Sequence, residues 1–165
     1  MRKLIILGAA MMSAAMAFGE TVTIDVSVLN GSVCKDGYSY DADAHLLTLQ
    51  EDQQFVLAGS SSAVSVFIAK GVKDVALDGL SIEYVRDWPG IGSPIRLENK
   101  AEVTLTLKNA NTLVASSQCA AIEVPGEAKL TITADDDAAM LNASGGAKPK
   151  GNDEFSETYE DEGNP

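Results

Sequence analysis

One segment of the chain repeats itself after 27 residues, and this repeat restricts the possible folds more than any other feature. The sequence SPIRLENKAEVTLTLKNANTLVASS begins at Ser93, and AAIEVPGEAKLTITADDDAAMLNAS begins at Ala120. The matched pairs are Ile95 with Ile122, Ala101 with Ala128, Val103 with Leu130, Thr104 with Thr131, Leu105 with Ile132, Thr106 with Thr133 and Leu113 with Met140. Self-similarity at a period of about 20–50 residues is typical of solenoids, in which equivalent units stack on one another.

Each unit contains two or three short strands with alternating polar and apolar residues, separated by Gly, Asn or Asp turns. SVFIAKGVKDVALDGLSI, which begins at Ser65, fits the same template about 28–30 residues earlier. Stacking in register would bury Val103 and Leu105 and turn Thr104 and Thr106 outward. We therefore expect an all-β fold, a short parallel β-helix of about four or five coils, with a β-sandwich as the alternative.

The segment before the repeats also has the pattern of β structure. TVTIDVSV, from Thr21 to Val28, alternates as a half-buried strand and could cap one end of the solenoid. NGSVCKDGYSYDADAH is rich in turn formers and predicts a hairpin, and LLTLQ and QFVLAG predict two further strands. The repeat domain accordingly extends over residues 20–144.

The first 19 residues have the features of a secretory signal peptide. Arg2 and Lys3 precede an uncharged run of small and apolar residues, with cleavage expected after Ala17 or Gly19. The alternative is a membrane anchor, but about 16 apolar residues are fewer than a spanning helix needs. We expect a secreted or cell-surface protein that does not insert into the membrane after cleavage.

The chain is strongly acidic. Without Arg2 and Lys3 it keeps ten basic and 24 acidic residues, a net charge of about −14. Such a surface repels phosphate backbones, so nucleic acid is not an expected partner. Residues 145–165 lack an apolar period and carry six carboxylates, which predicts an acidic disordered tail.

The chain has two cysteines, Cys34 and Cys119. An oxidising compartment permits a disulfide between them, and closing so long a loop would contribute about 4 kcal/mol in the chain-entropy model. Whether the fold brings them together is open from sequence. With His45 as the lone histidine, the grouped ligands of a zinc site are missing, and no cofactor is expected.

The repeats resemble a known group of proteins. YSYDADAHLLTLQ, VALDGLSI, TLTLKNANTLVASS and AAIEVPGEAKLTIT are similar to segments of secreted bacterial repeat proteins described as carbohydrate-binding-domain-containing. The resemblance spans Tyr38 to Ser144 and implies a right-handed parallel β-helix of the pectin-lyase-like class. It also implies an extracellular protein that engages glycans. After ASGG this chain turns acidic, whereas such proteins continue into further glycine-rich coils.

The segment IEYVRDWPGIGSP, residues 82–94, interrupts the repeats between two units. Insertions in a solenoid gather on one face, which is often the binding face. The segment supplies an aromatic pair for sugar stacking and charged groups for hydroxyls. The candidate glycan-binding residues are Tyr84, Arg86, Asp87, Trp88 and Arg96. The alternative is that Trp88 packs against its own solenoid as a structural residue.

The sequence does not indicate an enzyme. Asp135, Asp136 and Asp137 are consecutive and lack the spacing of a calcium loop, so a solvated acidic turn is expected rather than a metal site. The favoured function is non-catalytic binding of an extracellular glycan or a surface protein. The alternatives are a structural, adhesin-like repeat without a small ligand and, with less support, a degenerate polysaccharide lyase.

Overall fold

The computed structural model describes residues 21–35, 37–50, 53–84, 92–116 and 118–146. Within these residues the chain forms strands and one 3₁₀ turn, Val26–Val28. The strands are β1 (Thr21–Asp25), β2 (Val33–Lys35), β3 (Tyr38–Asp41), β4 (Leu46–Leu49), β5 (Gln54–Ala58), β6 (Ser60–Ser61), β7 (Ser65–Ile68), β8 (Asp74–Asp78), β9 (Ser81–Glu83), β10 (Ile95–Leu97), β11 (Glu102–Lys108), β12 (Ala110–Val114), β13 (Ile122–Glu123), β14 (Lys129–Ala134) and β15 (Met140–Ser144).

Three sheets form the sides of a right-handed parallel β-solenoid of about four turns. Sheet A has the order β1-β5-β8-β11-β14, sheet B the order β13-β10-β7-β4-β3-β2, and sheet C the order β15-β12-β9-β6. Each coil passes through sheet B, then A, then C, and every strand pairs in parallel with its equivalent in the next coil. The predicted parallel β-helix is confirmed, and the β-sandwich alternative is wrong.

The register follows the repeat in sheets A and B. Ile95 pairs with Ile122, and Leu105 pairs with Ile132, as the offset predicts. The threonines turn outward, and the Oγ1 atoms of Thr106 and Thr133 lie 3.3 Å apart. Alternation along each strand therefore separates an apolar interior from a polar surface.

The turns from sheet A to sheet C explain the Gly and Asn positions of the repeat. Gly59, Gly79 and Asn109 follow β5, β8 and β11 and have φ angles of 86°, 66° and 56°. Left-handed backbone of this kind is routine for glycine and accessible to asparagine. The side-chain nitrogen of Asn109 also donates to Oδ1 of Asp78 at 2.6 Å, which joins two successive turns.

The last turn from sheet A to sheet C is longer and shifts the register. Residues 135–139 stand in place of Lys108 and Asn109 of the preceding coil, so Met140 pairs with Ala110, and Leu113 pairs with Ala143. The predicted match of Leu113 with Met140 is therefore wrong, because the offset holds only where the connecting turns have equal lengths.

One continuous core runs along the solenoid axis. Phe55, Val75 and Leu105 lie in one column of sheet A and are at most 1% exposed. The equivalent column in sheet B contains Leu47, Val66 and Ile95. The column in sheet C contains Ile82 and Leu113. Burial of such side chains stabilises by about 1.5–3 kcal/mol each.

The N-terminal end is capped by antiparallel strands. β2 and β3 form the predicted hairpin, and β3 pairs antiparallel with β4 at the edge of sheet B. The predicted strand from Thr21 to Val28 ends early, at Asp25, whose side chain accepts from the amide of Ser27 and starts the 3₁₀ turn. Val28 is 65% exposed, contrary to the alternation pattern.

Candidate functional site

Tyr84, the first of the candidate glycan-binding residues, lies in the core. It continues the inward alternation of Ile82 and is 5% exposed. Its hydroxyl donates to the carbonyl oxygen of Val64 at 2.9 Å, and burial raises the pKa of Tyr84 to about 12. Its ring and its hydroxyl are both occupied inside the solenoid, so Tyr84 does not present the exposed aromatic face that its predicted role in glycan binding requires.

Arg86, Asp87 and Trp88 lie outside the described residues, in the segment 85–91. Its attachment points are described: Tyr84 at one side and Gly92 at the other. In the chain the segment therefore lies between β9 and β10.

Arg96, the remaining candidate, lies on the outer face of sheet B. It is the central residue of β10, whose neighbours Ile95 and Leu97 point inward. Its side chain is 58% exposed, and its Nε lies 3.5 Å from Oε1 of Glu123 on β13. Parallel register places Phe67 of β7 on the other side of Arg96. Phe67, Arg96 and Glu123 thus form an aromatic and charged row across three coils.

A groove of about 270 Å³ lies along this row. It is lined by Ala44, Leu46, Ser65, Phe67, Gly92, Ser93, Arg96 and Glu123. Ser65 Oγ donates to the carbonyl oxygen of Ser93 at 3.0 Å and fixes the floor between two coils. We call this the Phe67 groove. Its rim at Gly92 is where the segment that contains Trp88 rejoins the solenoid.

Sequence reasoning did not identify Phe67, Ser65 or Glu123 as members of the site. The signal was present in the repeat: Val66 and Ile68 point inward, so Phe67 points outward. The offset between the units then places it beside Arg96.

A larger groove, of about 580 Å³, lies at the corner between sheets B and A. It is lined by Lys70, Lys73, Asp74, Lys100, Glu102, Val103, Thr104, Lys129 and Thr131. We call it the lysine groove. Lys100 pairs with Glu127, with Nζ 3.2 Å from Oε2. None of the described residues that line this groove is aromatic, so they do not offer the stacking surface that Phe67 provides.

The acidic turn formed by Asp135, Asp136 and Asp137 lies on a different part of the solenoid from Arg96. Asp135, Asp136 and Asp137 are exposed in the turn between β14 and β15, whereas Arg96 lies on sheet B. Asp136 Oδ1 accepts from the amide of Ala138 at 2.8 Å, and Asp135 lies 3.6 Å from Lys108 Nζ. Among the described residues no group of three or more His, Cys, Asp or Glu side chains is arranged to hold a metal ion.

The two cysteines are free thiols, so the disulfide that the sequence left open is absent. Cys34 is in β2, and Cys119 precedes β13 by three residues. Strands β2 and β13 are the opposite edge strands of sheet B, and at the usual strand spacing they lie about 24 Å apart. A disulfide requires Cα atoms within about 7 Å.

Comparison of the chain with protein-family models, curated proteins and solved structures gives no match. Among the helices in the described part of the chain, none has the length and hydropathy to cross a membrane.

Proposed function

We propose that the protein is a secreted or cell-surface, non-catalytic carbohydrate-binding protein whose site is the Phe67 groove. The observation that carries the proposal is the outward ring of Phe67 next to Arg96 and Glu123. Aromatic rings offer a large rigid apolar surface, on which the apolar face of a sugar stacks. Ligand sites typically combine such a surface with a few well-placed polar groups.

The position of the groove adds support. Its Gly92 rim directly follows, in the chain, the segment 85–91 that contains Arg86, Asp87 and Trp88. The proposed site therefore keeps four of the five residues chosen from sequence and replaces Tyr84 with Phe67. Arg96 and Glu123 are exposed, so the pair can exchange its mutual contact for sugar hydroxyls at little cost.

A structural repeat without a small ligand is the second candidate. It is favoured by the ion pair of Arg96 with Glu123 and by the ion pair of Lys100 with Glu127, since each joins neighbouring coils. On this alternative the outward row only holds coils in register.

The test uses Trp88, the single tryptophan of the chain. Residues 20–165 are titrated with a panel of soluble neutral and acidic polysaccharides, with and without Ca²⁺, while tryptophan emission is followed. Saturable change with one glycan, lost in Arg96→Ala, supports the proposal. Emission unmoved by every glycan, together with no binding by calorimetry, contradicts it. Ca²⁺-dependent release of unsaturated sugars would instead indicate a lyase.

A further inference from the structure

The fourth coil ends the described solenoid with interior positions exposed. Ile132 follows Leu105 in the same column, but Ile132 is 47% exposed and Leu105 is 0% exposed. Val124 is 39% exposed, whereas Leu97 in the preceding coil is fully buried. Terminal coils of solenoids need a cap, because each coil buries its apolar side only against a neighbour.

The same end presents an open strand edge. The amide of Lys129, at the start of β14, donates to the carbonyl oxygen of Ala101 in the preceding coil at 2.8 Å. Alternate amides of a strand point to opposite sides. The amides of Leu130 and Ile132 therefore point away from the preceding coil, towards the open side.

The chain continues from this end, and its length fits a path across it. In the preceding coil, fifteen residues lead from Val114, the end of β12, to Lys129, the start of β14. The same count from Ser144, the end of β15, reaches Tyr159. Residues 147–165 are thus long enough to follow the course of the fourth coil past sheet B to sheet A.

The chemistry of this segment matches the surface that it would meet. Phe155 and Tyr159 are the aromatic residues of this segment, and by the same count Phe155 falls one residue past Val124 and Tyr159 three residues before Ile132. Six carboxylates lie between Asp153 and Glu162. At this corner the segment meets the lysine groove, whose lining holds four lysines and two carboxylates, with Lys129 on the last coil.

A second copy stacked head to tail fits the end less well. In the ladder of sheet A, Asp25 and Asp135 occupy the same column at opposite ends. Stacking in register would bring these two carboxylates together. Hydrogen bonds from Ser27 already hold the pKa of Asp25 below its ordinary value, so it is ionised. Like charges directly opposite each other destabilise strand pairing.

We propose that residues 147–165 fold back across the open end of the fourth coil. The rings of Phe155 and Tyr159 cover Val124 and Ile132, and the carboxylates from 153 to 162 lie beside Lys129. The composition of the segment alone predicts disorder. In the proposed arrangement Phe155, Tyr159 and the carboxylates of the segment contact the exposed end of the fourth coil.

The experiment is methyl and amide NMR on residues 20–165 at low protein concentration. We expect contacts between the δ1 methyl of Ile132 and an aromatic ring of Phe155 or Tyr159. We also expect the amides of Leu130 and Ile132 to exchange with solvent at least tenfold more slowly than in the Phe155→Ser, Tyr159→Ser double variant. Lys129→Glu should reduce this protection, and Lys35→Glu at the capped end should not.

Two outcomes would overturn the proposal. One is the absence of these contacts together with equal amide exchange in the parent and the double variant. The other is contacts that appear only between copies, which a mixture of differently labelled chains detects, with protection that increases with concentration. The second result would assign the open end to self-association. The methyl signals of Ile82, buried in the second coil, report that the variants remain folded in either case.

Discussion

The side-chain oxygen of Asn111 accepts a hydrogen bond of 2.9 Å from the amide of Leu80 in the preceding coil. Its nitrogen donates to the carbonyl oxygens of Lys108, Asn109 and Met140, the last of these in the following coil. Asn111 is 1% exposed. A single buried amide therefore links three successive coils at the corner between sheets A and C, in addition to the backbone bonds from Gly79 to Lys108 and from Met140 to Asn109.

We expect Asn111→Ala to lower the free energy of unfolding by about 2–4 kcal/mol, because it removes the partner of the buried Leu80 amide and three further bonds that link the coils. Asn142→Ala is the matched control, since Asn142 is exposed on β15 and its replacement should change stability by less than about 0.5 kcal/mol. Urea denaturation followed by circular dichroism measures both. Equal midpoints for the two variants would show that the corner does not depend on Asn111.

Tyr84 makes stability depend on pH in the alkaline range. Burial raises its pKa in the folded protein to about 12, from an ordinary value of about 10. The folded state therefore holds a proton that the unfolded state has lost, so this contribution is complete below about pH 10 and is lost as pH rises towards 12. We expect Tyr84→Phe to cost about 1 kcal/mol at pH 8 through the lost bond to Val64.

The difference in stability between the parent and Tyr84→Phe should shrink from pH 9 to pH 11.5. Comparing the two proteins removes the effects of lysine titration, which both share. Tyrosinate absorbance provides a second measurement: the parent should contain a tyrosine that ionises near pH 12 and is missing from the variant. A pH-independent difference would mean that the Tyr84 hydroxyl reaches solvent.

The architecture could be predicted from sequence because the repeat and the alternation are properties of short segments. Thr104 and Thr131 reveal the stacking even without knowledge of the turns. The prediction failed at Met140, because the turn length at residues 135–139 differs from that of the coil above. Turn length changes register without leaving a periodic signal.

The site was only partly predictable for a related reason. The aromatic and charged residues of the segment at 84–96 suggested Tyr84 as a ligand contact. Tyr84 is two residues after the buried Ile82, however, and alternation along a strand therefore predicts that its side chain points inward. Phe67 lies 29 residues before Arg96 in the chain and joins it only through parallel pairing. Composition and motifs cannot bring these two residues together, but the register between coils does.

Phe67 should control ligand affinity without controlling the fold. Phe67 is half-buried on the outer face of sheet B, and Phe67→Ala removes the stacking ring. We expect it to weaken binding to the glycan found in the screen by about tenfold or more, which is about 1.4 kcal/mol. Phe67→Tyr should retain binding because it keeps the ring.

Val56→Ala is the control for this substitution, since Val56 faces outward on sheet A, away from the groove. Calorimetric titration gives the affinities, and circular dichroism confirms the fold of each variant. Loss of affinity in both alanine variants would indicate general destabilisation rather than a site at Phe67.

The two thiols should remain independent of each other. Cys34 is exposed and Cys119 is half-buried, at opposite edges of sheet B. We expect a thiol reagent to label Cys34 rapidly and Cys119 more slowly, and a reducing agent to leave the melting temperature unchanged. Peptide mapping under non-reducing conditions should find no link between them, and Cys34→Ser should shift stability by less than about 0.5 kcal/mol.

A mapped bridge between the two cysteines, with a melting temperature that falls on reduction, would contradict the described arrangement of sheet B. It would require β2 and β13 to approach within disulfide distance, and the four strands between them prevent this.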